Sequence, residues 1–399
     1  MLESTGTLRR VGLIYLRLGQ LEKSKATYAA ANVRLEQAYA KFPSSEFRLE
    51  QARILNDLGN ALWTDRQNKR ARGKHLQALE IISSSIPDAN ADDEVLFELA
   101  RTLYLCGRRN RGLGGGVREE IFNTKLPVAS DEELGHVACA SKILDKLADH
   151  QPDNHEIGYL RALCYREHAD RSTAEHGELI DESLVESLRI LETLSNFMPD
   201  DPKYRYAFCT TLQRCKIEPP ASHEACRVVA KRIERSVEIA EGLVKQRPDE
   251  WPYAASHVES LIKLANVLNR ADHLDEALVA SRQAIDSSIE LAAKFWDCEI
   301  FRLWVAHARR RRGDLLSPQL SQTDAALREY DSAIIVLNKL LECKQTGMEL
   351  AILKNIHNAY VCRAEMLARK NLLVECDVAN QQASEYLKLL NAAQAQATE

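Results

Sequence analysis

The sequence predicts an all-α protein made of repeated helix pairs, and three observations carry that prediction. Aromatic residues are sparse at 6%, with only 16 glycines and 11 prolines in 399 residues. Strands want β-branched and aromatic side chains with turn chemistry between them, whereas the excess here is in Ala, Leu, Glu, Arg and Lys, which favour helix. A short break recurs along the chain as KFPSS, SIPDA, HQPDN, FMPDD and QRPDE, at Pro43, Pro87, Pro152, Pro199 and Pro248, and Trp296 of KFWDC takes the next slot. Finally, AKFPSSEFRL at 40–49 returns almost unchanged as AKFWDCEIFRL at 293–303. The spacings between breaks are 44, 65, 47, 49 and 48 residues, and the long one exceeds its successor by 18, which assigns one insertion. The doubled phrase is two copies of one repeat.

Each repeat reads as two helices. In the first, LRRVGLIYLRLG leads to a break near Gly19-Gln20, and LEKSKATYAAANVRLEQAYAKF runs on to Pro43. In the second, FRLEQARILNDLGNALWTD leads to a polar break, and KRARGKHLQALEIISSSI runs to Pro87. Proline closes the second helix because it lacks the backbone donor and clashes with the preceding turn. The Asp or Ser that follows can cap the next helix. Small residues mark where the two helices of a pair must approach closely: Gly12, Ser24 and Ala31, then Gly59, Ala71 and Ala78, then Ala265, Ala277 and Ala284, then Ala364, Cys376 and Ala383. A glycine inside a helix costs roughly 1 kcal/mol against Ala, so Gly12 and Gly59 imply tight packing. Eight units fit the length, at about 1–43, 44–87, 88–152 with the insertion near 108–130, 153–199, 200–248, 249–296, 297–345 and 346–395, with a polar tail at 396–399. No unit can bury its apolar face alone, so neighbours are expected to stack into one elongated solenoid.

The order VGLIY, Ser, Tyr, Ala in the first unit, and LANVL, Glu-Ala, Ser, Ala around 265–284, resemble the tetratricopeptide repeat. The resemblance covers nearly the whole chain and is strongest at 7–43, 48–87 and 255–296. It implies a right-handed α-solenoid whose concave surface is built from first helices. The units are longer than the family period of about 34 residues. In this the chain is similar to the helical regions that follow the catalytic domain in some bacterial serine/threonine kinases.

A net charge of −5 creates no field that would draw in nucleic acid or a membrane surface, and no run of 18 apolar residues provides a transmembrane span. The ten cysteines are scattered singly with no CxxC pair, which favours buried free thiols in a reducing, cytoplasmic setting over disulfides or zinc. The eleven histidines show no HExxH or paired metal spacing. No Gly-x-Ser-x-Gly elbow and no kinase signature appears. No cofactor, metal or catalytic constellation is expected, and the chain reads as a non-enzyme.

Two stretches stand out chemically. GRRNRGLGGGVREEIF at 107–122 holds five of the 16 glycines, yet lacks the lysine and the preceding strand of a phosphate loop, and reads as a solvated connector. HARRRRGD at 307–314 is the densest basic run. Without interleaved aromatics to stack on bases, it reads as a structural run near a helix C-terminus, where positive charge suits the helix dipole. The family resemblance implies further candidates. In some peptide-binding members an Asn follows the small residue of the first helix, with basic residues a turn away on the concave face. Asn60 follows Gly59, Asn266 follows Ala265, Arg17 and Arg270 hold the later groove-facing position, and Asn56 lies one turn before Asn60. An exposed polar face is the alternative reading of the same residues.

The expected function is a non-catalytic scaffold that binds a peptide or helix of another protein. The alternative is a detached regulatory module of a kinase-type signalling protein. Met1 aligns with Arg48, so the array opens on a first helix with no cap before it. Either another chain covers that end, which includes self-association, or a longer ancestor lost its front.

Overall fold

A computed structural model of the chain describes residues 2–18, 20–64, 67–84, 92–108, 131–172, 182–215, 222–295, 299–343 and 349–398. The insertion and all but the first two residues of the 107–122 stretch lie outside the described residues. Among the described residues there are sixteen α-helices, one short 3-10 turn at Leu320–Gln322 and no strand. They form two compact units that divide between Thr211 and Leu212.

The first unit contains α1 (Leu2–Arg17), α2 (Leu21–Lys41), α3 (Ser45–Thr64), α4 (Asn68–Ser84), α5 (Asp93–Gly107), α6 (Asp131–His150), α7 (His155–Ser172) and α8 (Glu182–Phe197), with α9 (Pro202–Leu212) at the division. The second contains α10 (His223–Gln246), α11 (Trp251–Arg270), α12 (Leu274–Lys294), α13 (Glu299–Leu316), α14 (Thr323–Glu342), α15 (Glu349–Arg369) and α16 (Leu373–Thr398). From α1 to α8, and from α10 to α16, every helix packs on the next in sequence. Odd-numbered helices also touch across the intervening one: α1 with α3, α3 with α5 and α5 with α7 in the first unit, and α11 with α13 and α13 with α15 in the second. Each unit is a tetratricopeptide-like stack of helix pairs in which successive first helices adjoin.

Local chemistry sets the boundaries. α2 stops at Lys41 just before Pro43, and α10 stops at Gln246 just before Pro248. Beyond the breaks at Pro43, Pro152 and Pro199, a short polar side chain accepts from the new helix, whereas Glu250 after Pro248 makes no such bond. Ser44 Oγ accepts from Phe47 N at 3.3 Å, Asn154 Oδ1 from Glu156 N at 3.1 Å, and Asp201 Oδ1 from Lys203 N at 2.9 Å. The turn inside a pair is equally regular. The amides of Gln20, Gln67, His273 and Leu372 each donate to the carbonyl five residues back, at 2.9, 2.9, 2.9 and 3.0 Å. This is the Schellman closure, which needs a left-handed residue just past the helix. Asp272 and Asn371 fill that position at φ 61° and 57°.

The pair interface is where the small residues act. A Cβ on Gly12 would lie 2.7 Å from the Tyr28 ring, on Gly59 2.4 Å from the His75 ring, and on Gly313 2.6 Å from the Tyr330 ring. Ser24 Oγ donates to the Gly12 carbonyl at 2.9 Å, and Ser187 repeats the bond to the Ala162 carbonyl at 2.7 Å. Ala31, Ala71, Ala78, Ala277 and Ala284 are all essentially inaccessible. The small-residue spacing therefore marks the contact line between helices. Gly313, hidden inside the basic run, belongs to the same set.

The basic run itself lies within α13, and its charge is matched by carboxylates rather than by the helix end. Arg309 and Arg312 pair with Glu329 of α14 at 3.1 and 3.3 Å, and Arg310 pairs with Asp314 at 3.0 Å. Arg312 also donates to the Leu278 carbonyl of α12 at 3.1 Å. Nine of the ten cysteines are described; all nine are free, and five of them are buried. No described helix is long and apolar enough to cross a membrane.

Candidate functional site

The first helices α1, α3 and α5 enclose an open groove of about 740 Å³. Leu2, Leu13 and Leu49 supply its apolar margin, and Arg10 and Glu46 stand exposed at its edge. Its floor is a ladder of alternating charge that crosses from helix to helix. Arg9 of α1 reaches Asp57 at 2.9 Å and Glu50 at 3.1 Å, both on α3. Arg53 of α3 reaches Glu94 of α5 at 2.5 Å and stands 3.7 Å from Glu98. Arg101 of α5 returns to Asp57 at 2.7 Å and holds Glu98 at 3.0 Å. Helical spacing places these groups on one face, since 50, 53 and 57 on α3 and 94, 98 and 101 on α5 follow the i, i+3/i+4, i+7 rule.

Electrostatics keep the ladder charged. Burial works against the Arg9 cation, but Asp57 and then Glu50 outweigh it and its pKa rises. Arg101 follows the same pattern, with burial opposed and exceeded by Glu98 and Asp57. Such pairs are worth more than exposed ones because little water screens them, and breaking one strands a buried charge.

Below the floor is a neutral polar cluster. Asn56 is 0% exposed. Its Nδ2 donates to Glu98 Oε1 at 3.0 Å and Thr102 Oγ1 at 2.8 Å, and its Oδ1 lies 3.2 Å from His75 Nδ1. An amide oxygen can only accept, so His75 carries its proton on Nδ1. That leaves Nε2 buried without a partner. Burial first, then the positive charges of Arg108 and Arg101, push the His75 pKa down from 6.5 to about 2. His75 is a neutral packing residue, seated in the slot that Tyr28 and Tyr330 occupy in their own pairs.

The sequence-proposed residues fare differently. Asn56 and Asn60 share α3, but Asn56 sits inside the protein with its amide engaged, so it orders helices and is closed to a guest. Asn60 lines the groove and accepts from Arg108 Nη2 at 2.7 Å. Arg17 is exposed in the last turn of α1, outside the residues that line the groove. Asn266 is half-buried and Arg270 exposed, both on α11 of the second unit. The ladder residues Arg9, Glu50, Arg53, Asp57, Glu98 and Arg101 were not singled out from sequence. The available signal was the charged stripe at helical spacing on successive first helices. Among the described residues, no group of three or more His, Cys, Asp or Glu is placed to hold a metal ion.

No protein-family model matches the sequence, and no curated protein matches it. Among solved structures, the chain is similar to a tetratricopeptide repeat protein from Parabacteroides merdae, at 13% identity and TM-score 0.37 over 90% of this chain and 99% of that one. It is similar to Rap protein complexed with Competence and Sporulation Factor, at 12% identity and TM-score 0.38 over 98% and 99%. It is also similar to the S. pombe nuclear import adaptor Nro1, at 12% identity and TM-score 0.31 over 89% and 98%. At scores of this size, neither residue equivalence nor function transfers to the present chain.

Proposed function

We propose that the first unit is a non-catalytic interaction module whose α1–α3–α5 groove receives a segment of another protein. The observation that carries this reading is the groove itself, about 740 Å³ and bounded by three successive first helices. Stacked helix pairs produce concave surfaces of this kind, and helical-repeat proteins use them for binding. The apolar margin of Leu2, Leu13 and Leu49 offers anchor contacts. The fixed alternation of Arg9, Asp57, Arg101 and Arg53 with their carboxylates selects against a guest of uniform charge, because like charges meeting on the floor are costly. The fitting guest is a short stretch with apolar anchors and charges of both signs. Among the described residues, nothing favours the kinase-linked alternative.

The test is quantitative binding to whichever partner the native chain retrieves. A variant carrying Arg10→Glu and Leu13→Glu should lose at least about tenfold in affinity, since a central contact is worth upwards of 1.4 kcal/mol. Leu389→Glu on exposed α16 should leave affinity unchanged. Equal binding by all three proteins refutes the groove.

A further inference from the structure

The first unit contains two kinds of arginine. Arg9, Arg53 and Arg101 each hold at least two carboxylate contacts. Among the described residues, Arg108, just past α5, and Arg166, on α7, hold none: their hydrogen-bond partners there are neutral oxygens. Arg108 gives Nη2 to Asn60 Oδ1 and lies over the Trp63 ring at 4.6 Å. Arg166 reaches Thr210 Oγ1 at 3.4 Å and Tyr104 Oη at 3.5 Å, both at the long limit for a hydrogen bond. In each guanidinium the Nε donor is buried with no partner. The two are neighbours, because Tyr104 is one helical turn from Arg108 on the chain and is itself the hydroxyl that Arg166 touches.

A buried donor without an acceptor is costly, and a buried cation without a counter-charge more so. Burial, followed by repulsion from Arg101 and Arg166, lowers the Arg108 pKa against the pull of Tyr104 and Glu167. Glu167, 2% exposed, is a carboxylate that pulls on Arg108, and it has a further interaction of its own. Arg101 is committed to Asp57 and Glu98. The balance among the described residues at this point is therefore positive, with the terminal donors on neutral oxygens and one buried Nε donor on each guanidinium without an acceptor.

We infer that the guanidinium groups of Arg108 and Arg166 form an oxyanion-binding site that takes a carboxylate or a phosphate. Two guanidinium forks supply charge-assisted donors in the planar geometry that recognises such groups. This inference does not need the groove reading: Arg108 reaches the groove-lining Asn60, but the site requires no protein partner and includes neither Arg10 nor Leu13.

The experiment compares melting temperature and Trp63 fluorescence in millimolar inorganic phosphate, millimolar succinate and sodium chloride of equal ionic strength. The native chain should melt roughly 3 °C higher in one of the two oxyanions when that anion stands at about ten times its Kd. Its Trp63 emission should change at the same time as Arg108 turns from the ring, and Trp63→Phe should remove only the optical change. Phosphate acting alone identifies a phosphorylated ligand, and succinate acting alone a carboxylate ligand; either supports the site. Arg108→Met and Arg166→Met should abolish the oxyanion response while melting at or above the native chain in chloride, because each removes an uncompensated charge. No response beyond chloride overturns the inference. So does a response that survives in both variants, or a pair of variants that melt lower in chloride, as arginines with a purely structural role would.

Discussion

Both units spend arginines on their first helices, but in opposite directions. In the first unit, Arg9, Arg53 and Arg101 tie first helix to first helix across successive pairs, on the face that lines the groove. In the second, Arg309 and Arg312 of α13 tie the first helix to the second helix of the same pair through Glu329. The second unit's core also runs continuously through apolar Val258, Ile262, Phe301, Trp304 and Ile356. Charge directed along the shared face lines the groove, whereas charge directed into a pair is consumed by the stack. The same residue type therefore joins successive pairs in one region and closes a single pair in the other.

That contrast can be broken at its strongest point by removing one arginine from each network. Arg101→Met leaves Asp57 to Arg9 and leaves Glu98, only 3% exposed, with Arg53 at 3.7 Å as its nearest cation, and should cost about 3 kcal/mol in denaturant unfolding. Arg309→Met should cost about 1 kcal/mol, because Arg312 still holds Glu329. Equal losses would mean that the two networks do not differ as described.

Glycine substitution sharpens the packing half of the comparison. Gly59→Ala and Gly313→Ala each drive a methyl group into a ring and should destabilise by about 1–3 kcal/mol, as overpacking does. Gly73→Ala, within α4 and with nothing within 4 Å of the added carbon, should instead stabilise by about 0.5–1 kcal/mol. Thermal melts of the three variants decide it.

Acid separates the two regions next. His75 is held neutral in the fold, with its pKa down at about 2 against 6.5 unfolded. Below pH 6.5 the unfolded chain takes up a proton that the folded chain refuses. The contribution of His75 is therefore complete above pH 6.5 and is lost as pH falls toward 2, with a limiting slope of about 1.4 kcal/mol per pH unit. His75→Tyr, which copies the Gly12–Tyr28 and Gly313–Tyr330 pairs, should flatten that part of the stability–pH curve. The smallest effect belongs to the turns: Asp272→Gly relieves a left-handed non-glycine residue and should gain a few tenths of a kcal/mol to about 1 kcal/mol.

Much of the fold was legible because pair packing is a local rule. A small residue at 12 or 59 meets a ring sixteen residues on, and both ends of that contact lie in one short stretch of sequence. The site was less legible. Periodicity identifies a polar stripe on α3, but a first helix packs against its own partner and against the neighbouring first helices. Asn56 and Asn60, one turn apart, consequently point to different depths. Gly313 was masked by the four arginines before it, whose charge drew the reading toward the helix dipole. Arg108 gave no signal at all, because its significance is the absence of a carboxylate, and that depends on which helices become neighbours.

Helix-on-next-helix packing has a consequence for how such a chain can change length. Among the described helices of each unit, the principal contacts are with the next helix and the second one along. Excising or copying one internal pair would leave every other junction with a surface of the kind it already meets. The gene can grow or shrink by one exposed seam at a time, and the groove would lengthen or shorten in whole-pair increments without redesign of the pairs that remain.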